Sequence, residues 1–395
     1  MKILFFTNEY AHIKLRATGG LGTFVESISK KLVSKGHTVH IFGFAKKRIS
    51  FNDDGVKVSF IKKYSKVKPL HELGRSICKS LHLNKAQYHF LKKERKYYTK
   101  KLSNFVKKNE IDIIESFVFD GYSAFWDNSI PLVLRFHGSR GFWNYFLGRK
   151  KENLLIKLEK KSLVNTKYII AVSQFSKMVI NKIYNLKNVK VIYNGIDTSK
   201  FKKLKKKEKT SQSIFYYGTL SEAKGVNVLC EVFNKINNIY PKSTLHIIGR
   251  GKKYKEYLLN NVLNDKTKVN TFFYDNIQNK DIPKILQSAD ICIFPSKNET
   301  FGLTVVEAMA CEKVVITSNI GSFNEIINNN KNGFISNSYK DYIKHISYCF
   351  DNHNKAVGIG KNAREHIKNN FSLNKLVNET IEYYNYVIND FNKKP

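Results

Sequence analysis

Acidic residues are few in this 395-residue chain: 32 aspartates and glutamates stand against 68 lysines and arginines, a formal charge of +36. Such an imbalance favours anionic partners, whether lipid headgroups, polyphosphate polymers or nucleic acid. Codon bias toward Lys, Asn and Ile would explain part of the lysine, but not the shortage of acids. The cysteines Cys78, Cys230, Cys292, Cys311 and Cys349 are scattered singly with no Cys-x-x-Cys pair, which argues against a disulfide framework or a structural zinc. Nowhere do about eighteen apolar residues run together, so no spanning helix is expected. The apolar run after Met1-Lys2 is interrupted at Asn8-Glu9, too soon for a signal peptide. A cytoplasmic protein is expected, its only membrane contact being peripheral, on the inner face. No helix-turn-helix, RNP-type aromatic pair or zinc spacing accompanies the charge, which argues against specific nucleic-acid recognition.

Both halves alternate short apolar runs with amphipathic segments, the pattern of parallel sheets covered on two faces. In the first half, strands are predicted at 2–7, 38–43, 111–115, 131–135, 168–172 and 190–193, with a helix over 21–35 closed by Gly36. The second half starts again at 213–217, followed by 244–248, 268–273, 290–294 and 314–317. Residues 197–212 are lysine-rich and poor in apolar side chains, the composition of an exposed connection. The boundary is placed there: residues 1–197, completed by 374–395, form a first Rossmann-like domain, and 198–373 a second. The basic excess is dense in the first domain. From Lys85 to Lys108, Phe90, Leu91, Tyr97, Tyr98, Leu102 and Phe105 interrupt the lysines at roughly helical spacing, as in an amphipathic helix that meets an anionic membrane surface.

The richest segment is Ser296-Lys-Asn-Glu299-Thr-Phe-Gly302-Leu-Thr-Val-Val-Glu307-Ala-Met-Ala310. The run Asp290-Ile-Cys-Ile-Phe294 before it reads as a buried parallel strand ended by Pro295. Gly302 lets the backbone approach a ligand, and the amides of Phe301, Gly302 and Leu303 open a helix, a natural anion site. Glu299 lies in the loop and Glu307 about a turn into the helix, so the two carboxylates can serve different parts of one ligand.

The Glu-x7-Glu spacing with Phe-Gly-Leu inside it and Glu-Ala-Met-Ala behind it resembles the signature of family 4 retaining glycosyltransferases. The resemblance extends over nearly the whole chain. It implies a GT-B fold: two Rossmann-like domains facing each other across a cleft, with a C-terminal helix at 374–391 crossing back to the first. Ligands of open parallel sheets bind beyond the carboxyl ends of the strands, so the cleft is the expected site. Thr18-Gly19-Gly20-Leu21-Gly22 resembles the family's glycine-rich loop, which would bring free amides to the donor phosphate. In Tyr217-Gly-Thr219-Leu-Ser-Glu-Ala-Lys224-Gly225, the family's lysine is kept as Lys224, whereas Thr219 stands where an arginine is usual. A point charge remains and a bidentate fork is lost. Arg250, in Gly249-Arg-Gly251, is a candidate replacement. His137, in Arg135-Phe-His-Gly138-Ser139, matches the histidine whose imidazole or backbone carbonyl approaches the donor sugar. Base recognition is expected from the 272–276 loop, where Tyr274 or Asp275 occupies the place of a usual glycine.

The chemistry implied is retaining hexosyl transfer from a nucleotide-diphosphate sugar. UDP is favoured as the nucleotide, and GDP remains open. No cofactor is implied, and no Asp-x-Asp pair sits at a strand end to hold a divalent metal. Lys224 and the amides at 301–303 would meet the charge of the leaving diphosphate. Glu307 would accept from the ribose hydroxyls, and Glu299 would stand by the transferring sugar. The acceptor implied is a glycan, a lipid-linked precursor or an anionic cell-envelope polymer such as a teichoic acid. Two alternatives stand beside this reading. One is a catalytically silent GT-B partner or scaffold, which would explain Thr219. The other is a glycogen synthase-like polymerase, against which weigh the basic surface and Ala17, where a lysine is usual.

Overall fold

The structure, a computed structural model, describes residues 1–15, 19–149, 153–204, 212–275 and 277–393. Thr18 of the glycine-loop motif and Ala17 before it, residues 205–211 of the lysine-rich connection and Asn276 fall outside them. The chain divides into two compact units, Met1–Tyr193 with Leu376–Pro395, and Asn194–Lys375.

In the first unit the strands are β1 (Lys2–Phe6), β2 (Thr38–Ala45), β3 (Ile49–Asp53), β4 (Val56–Lys62), β5 (Ile113–Phe117), β6 (Leu132–Phe136), β7 (Tyr168–Ala171) and β8 (Val189–Val191). They form one sheet in the order β3-β4-β2-β1-β5-β6-β7-β8. All its pairings are parallel except β3 with β4, a hairpin closed by the two-residue turn Asp54-Gly55. Ile3, Leu4 and Phe5 of the central β1 are fully buried, as expected of a parallel strand covered on both faces. The helix Gly20–Ser34 buries Phe24, Val25, Ile28 and Leu32.

The second unit holds β9 (Ser213–Tyr217), β10 (Thr244–Ile248), β11 (Thr271–Tyr274), β12 (Ile291–Phe294), β13 (Val314–Ser318) and β14 (Phe334–Ser336). Its order is β11-β10-β9-β12-β13-β14, with every pairing parallel. The change of direction between β9, β10 and β12 puts a topological switch point beside β9, the place where open sheets of this kind take ligands.

Three expectations need correction, and two features were not foreseen. The hairpin β3–β4 and the edge strand β14 were not predicted. The strand predicted at 111–115 starts two residues later, because Glu110 is left-handed (φ 51°) and the Ile111 amide donates back to Val106 O at 3.2 Å, closing the preceding helix. The strand predicted from 268 starts at Thr271, because Asn264 caps a helical turn, Asp265–Lys268, by accepting from the Thr267 amide at 2.9 Å. In the basic helix Asn84–Asn109, the apolar residues belong to the core: Leu91, Tyr98, Leu102 and Val106 are buried, and Tyr98 stacks on Phe44 at 4.0 Å. Its lysines are what it shows to solvent.

The terminal helix Leu373–Asn392 is held in the first unit by buried polar contacts. Arg135 makes a two-pronged pair with Glu115, Nε to Oε1 at 2.8 Å and Nη2 to Oε2 at 3.0 Å, both side chains being wholly buried. Tyr384 OH donates to Glu115 Oε2 at 2.6 Å, and Arg135 Nη2 donates to Thr380 Oγ1 at 3.1 Å. A buried pair of this kind depends on further hydrogen bonds to its oxygens and N–H groups; the helix supplies one donor to Glu115 and one acceptor for Arg135 Nη2, while Arg135 Nη1 is left without a partner among the described residues.

Candidate active site

In the second unit β12 ends at Phe294, and the chain turns through Pro295 and buried Ser296. The turn Glu222–Lys224 packs directly on it: the Lys297 amide donates to Ala223 O at 2.9 Å. Gly225 follows in the left-handed region (φ 66°), where a Cβ would lie 1.9 Å from Pro295 O. This close approach brings Lys224 against Glu299, and the ammonium and Oε1 form an ion pair. Ser296 Oγ donates to the same carboxylate at 3.3 Å. The expectations for the two residues, one for phosphate and one for sugar, thus meet in a single contact.

Gly302 precedes the helix Leu303–Ala310 at φ 111°, with Phe323 only 2.6 Å from where a Cβ would be. A side chain would be strained there and would also clash, so the backbone bend before the helix depends on glycine. Phe301, buried, anchors the bend edge-on against Phe371. One turn into the helix, Glu307 is only 6% exposed. Burial raises its carboxyl from 4.5 to about 7, against the opposing pull of the Asn279 amide and the Lys200 ammonium. Asn279 Nδ2 donates to Glu307 Oε1 at 3.2 Å, and its Oδ1 accepts from Lys200 Nζ at 3.2 Å. Neither Asn279 nor Lys200 was singled out from the sequence. They lie 28 and 107 positions from Glu307 with no shared motif, and only the fold joins them.

Thr219 and Arg250 lie on neighbouring loops. The Leu220 amide donates to Arg250 O at 2.9 Å, Gly249 packs on Gly218, and both the Thr219 and Arg250 side chains are exposed. Arg250 edges a cavity of about 480 Å³ with Lys252, Lys255 and Asp275. Tyr274 is more engaged than expected of a base-reading residue: its carbonyl accepts from the Gly249 amide at 3.0 Å and its hydroxyl meets His246 Nδ1 at 3.0 Å.

The first unit carries a cavity of about 330 Å³ at the carboxyl ends of β1, β5 and β6, lined among others by Thr7, Glu9, Phe117, Asp120, His137 and Trp143. His137 packs on Phe24 at 4.3 Å, and burial together with the Arg135 charge holds its imidazole well below 6.5, so it is neutral at physiological pH. Gly19 precedes the helix that begins at Gly20, and the carboxylate of Glu9 accepts from the Gly19 and Gly22 amides. Two amides of the motif are therefore engaged by an acid of the chain itself. Burial raises the Glu9 carboxyl. Asp120, left-handed at φ 63°, accepts from Arg140 Nε at 2.5 Å. Behind both, buried Glu159 accepts from the amides of Asp120 (3.1 Å), Arg140 (3.0 Å) and Gly141 (3.2 Å), fixing the two loops together. Glu9 and Asp120 were missed. The available signal was their position just past an apolar strand end.

Two parallel-sheet α/β units, with acids, a lysine and glycines gathered where the strands end, define a two-domain GT-B protein. The comparisons agree: the model for Glycosyl transferases group 1 matches residues 197–366, and that for Glycosyltransferase Family 4 matches residues 18–200. The chain belongs to this family of glycosyltransferases. A curated relative, an uncharacterised glycosyltransferase of Methanocaldococcus jannaschii, is 28% identical over 69% of this chain and 75% of its own length. Sucrose-phosphate synthase from Thermosynechococcus elongatus shares the fold with a TM-score of 0.80 at 16% identity, covering 98% of this chain and 99% of that one. Anabaena HepE, solved in complex with UDP-glucose, has a TM-score of 0.70 at 18% identity, covering 98% of this chain and 100% of that one.

Proposed function

We propose that the chain transfers a hexose, with retention, from a UDP-sugar to a glycan, lipid-linked or anionic envelope-polymer acceptor, without a divalent metal. The observation that carries this reading is one strand-to-helix turn that pairs Glu299 with Lys224 on its loop and buries Glu307 one turn into its helix. The diphosphate of the donor recruits the Lys224 ammonium and the helix N-terminus at Gly302, which stabilise the charge of the leaving group. Phe301 and Leu303 frame that N-terminus. Glu299, exchanged out of its ion pair, faces the sugar hydroxyls and the positive charge of the ring. The bond from the anomeric carbon to the phosphate oxygen breaks, the bond to the acceptor oxygen forms on the same face, and a phosphate oxygen takes the acceptor proton. Glu307 accepts from the ribose hydroxyls and so discriminates against ligands that lack them. Arg250, beside Thr219, supplies part of the charge that an arginine at 219 would have given. Gly19, Gly20 and His137 belong to the first unit, whose cavity takes the acceptor. The likeness to HepE supports UDP over GDP.

A thermal-shift screen with UDP-, GDP- and ADP-sugars tests the donor assignment. Stabilisation by UDP-sugars alone is expected. Stabilisation by GDP-sugars alone would move the donor class, and no shift with any of them would contradict the reading. Thr219 favours a second reading, a silent partner subunit, under which no nucleotide would be released from any donor at any protein concentration.

A further inference from the structure

The helix Pro69–Ser80 is packed against the rest of the first unit in an unusual sense. Its inner side is polar and aromatic: His71 meets Phe90 edge-on at 4.7 Å and Tyr64 at 4.6 Å, and Gly74 leaves the room that Phe90 fills. Its aliphatic side chains point the other way. Leu70, Leu73 and Ile77, with Leu81 directly after the helix, recur at spacings of three and four and are 83, 57, 48 and 62% exposed. Val67 and Leu83, just before and after, are also exposed. None of the helix residues is buried. A continuous apolar stripe on the outside of a chain this polar marks a contact with an apolar phase.

The charge around the stripe identifies that phase. Between Lys62 and Lys93 there are nine lysines and arginines and one acid, Glu72, whose carboxylate is taken up by Arg75. Lys66, Lys68, Lys79 and Lys85 flank the stripe and are exposed. Aliphatic side chains bordered by lysines on a helix lying flat match the boundary of an anionic bilayer, where the lysines reach lipid phosphates and the leucines enter the acyl edge.

We propose that the outer face of Pro69–Ser80 docks this protein onto anionic lipid. The basic helix Asn84–Asn109, whose apolar side is spent in the core, adds charge but no insertion. Among the described residues no helix is long and apolar enough to cross a membrane, so the docking is peripheral. The proposal does not depend on the donor chemistry.

Co-sedimentation of the full chain with vesicles of phosphatidylcholine, alone or mixed with phosphatidylglycerol, tests it. The native chain is expected to bind the mixed vesicles and not the neutral ones. The triple variant Leu70→Ser, Leu73→Ser, Ile77→Ser leaves the net charge unchanged and should lose at least about ten-fold in partitioning, because three aliphatic side chains no longer leave water. The charge variant Lys66→Gln, Lys68→Gln, Lys79→Gln should lose binding in a salt-sensitive manner. Undiminished binding by the serine variant would reduce the effect to net charge and overturn the proposal. So would equal binding to neutral vesicles, absence of binding to both, or a native dimer in size exclusion that the serine variant abolishes, which would make the stripe a self-contact.

Discussion

The two units present their functional residues in opposite ways. In the second, Pro295, Ser296, Glu299, Gly302 and Glu307 come from one continuous strand, turn and helix, and Lys224, Asn279, Lys200 and Tyr217 arrive from elsewhere. In the first, the cavity gathers Thr7, Glu9, Phe117, Asp120 and His137 from the ends of three strands spread over 130 positions. A local motif is therefore informative about the second unit and nearly silent about the first. The difference follows from the chemistry proposed for each: a diphosphate is held by a helix N-terminus, a local object, whereas an acceptor surface is assembled wherever strand ends converge.

That contrast can be broken most forcefully at Glu299. Glu299→Gln should lower turnover by about 100-fold or more while changing nucleotide affinity only a few-fold, whereas Glu307→Ala should chiefly weaken donor binding. Steady-state kinetics with calorimetric titration of the nucleotide separates the two, and equal loss of affinity in both variants would erase the division of roles.

A second test uses pH. Glu307 holds its proton more tightly folded than unfolded, with a carboxyl near 7 against 4.5. Its contribution to stability is fully present below about 4.5 and is lost as pH rises through about 7. Glu307→Gln should flatten that slope, a difference on the order of 3 kcal/mol across the window in urea unfolding. In the native protein, donor affinity should weaken as pH falls below 7, because a protonated carboxyl accepts fewer hydrogen bonds. A pH-independent difference between the two proteins would mean that the acid is ionised where it lies.

In the first unit, Asp120→Asn should raise the acceptor KM by roughly three- to ten-fold and leave donor binding alone, since it removes one charge-assisted hydrogen bond. An effect on the donor instead would join the two sites that the comparison separates. The smallest expected effect is structural: Tyr384→Phe withdraws one donor from buried Glu115 and should cost about 1 to 2 kcal/mol, read as a lower urea midpoint with unchanged slope.

Much of the fold was legible because buried parallel strands announce themselves as short apolar runs; 213–217 and 244–248 were read to the residue. What escaped was decided by side chains acting locally. Asp54-Gly55 between two alternating runs was a readable hairpin turn that passed unnoticed. The helical turn that Asn264 caps takes in Lys268, the first residue of the predicted strand, and the strand begins at Thr271 instead. The apolar residues of 85–108, taken for a lipid-facing side, pack into the core, while the outward-facing leucines lie on the preceding helix, which is also amphipathic but leaves its aliphatic side exposed. Periodicity reveals that a helix has two faces and not which of them the core will take. At the site, Glu299, Lys224, Gly302 and Glu307 came from a motif, but the ion pair between the first two and the Lys200-Asn279-Glu307 chain depend on folding.

The most direct test of the central claim is the release of free nucleotide from nucleotide sugars, with and without an added glycan acceptor. The account predicts steady release of UDP from a UDP-sugar by the native chain, abolished by Glu299→Gln although that variant still binds UDP. No release from any nucleotide sugar at any protein concentration would contradict it and leave the chain a silent member of its family.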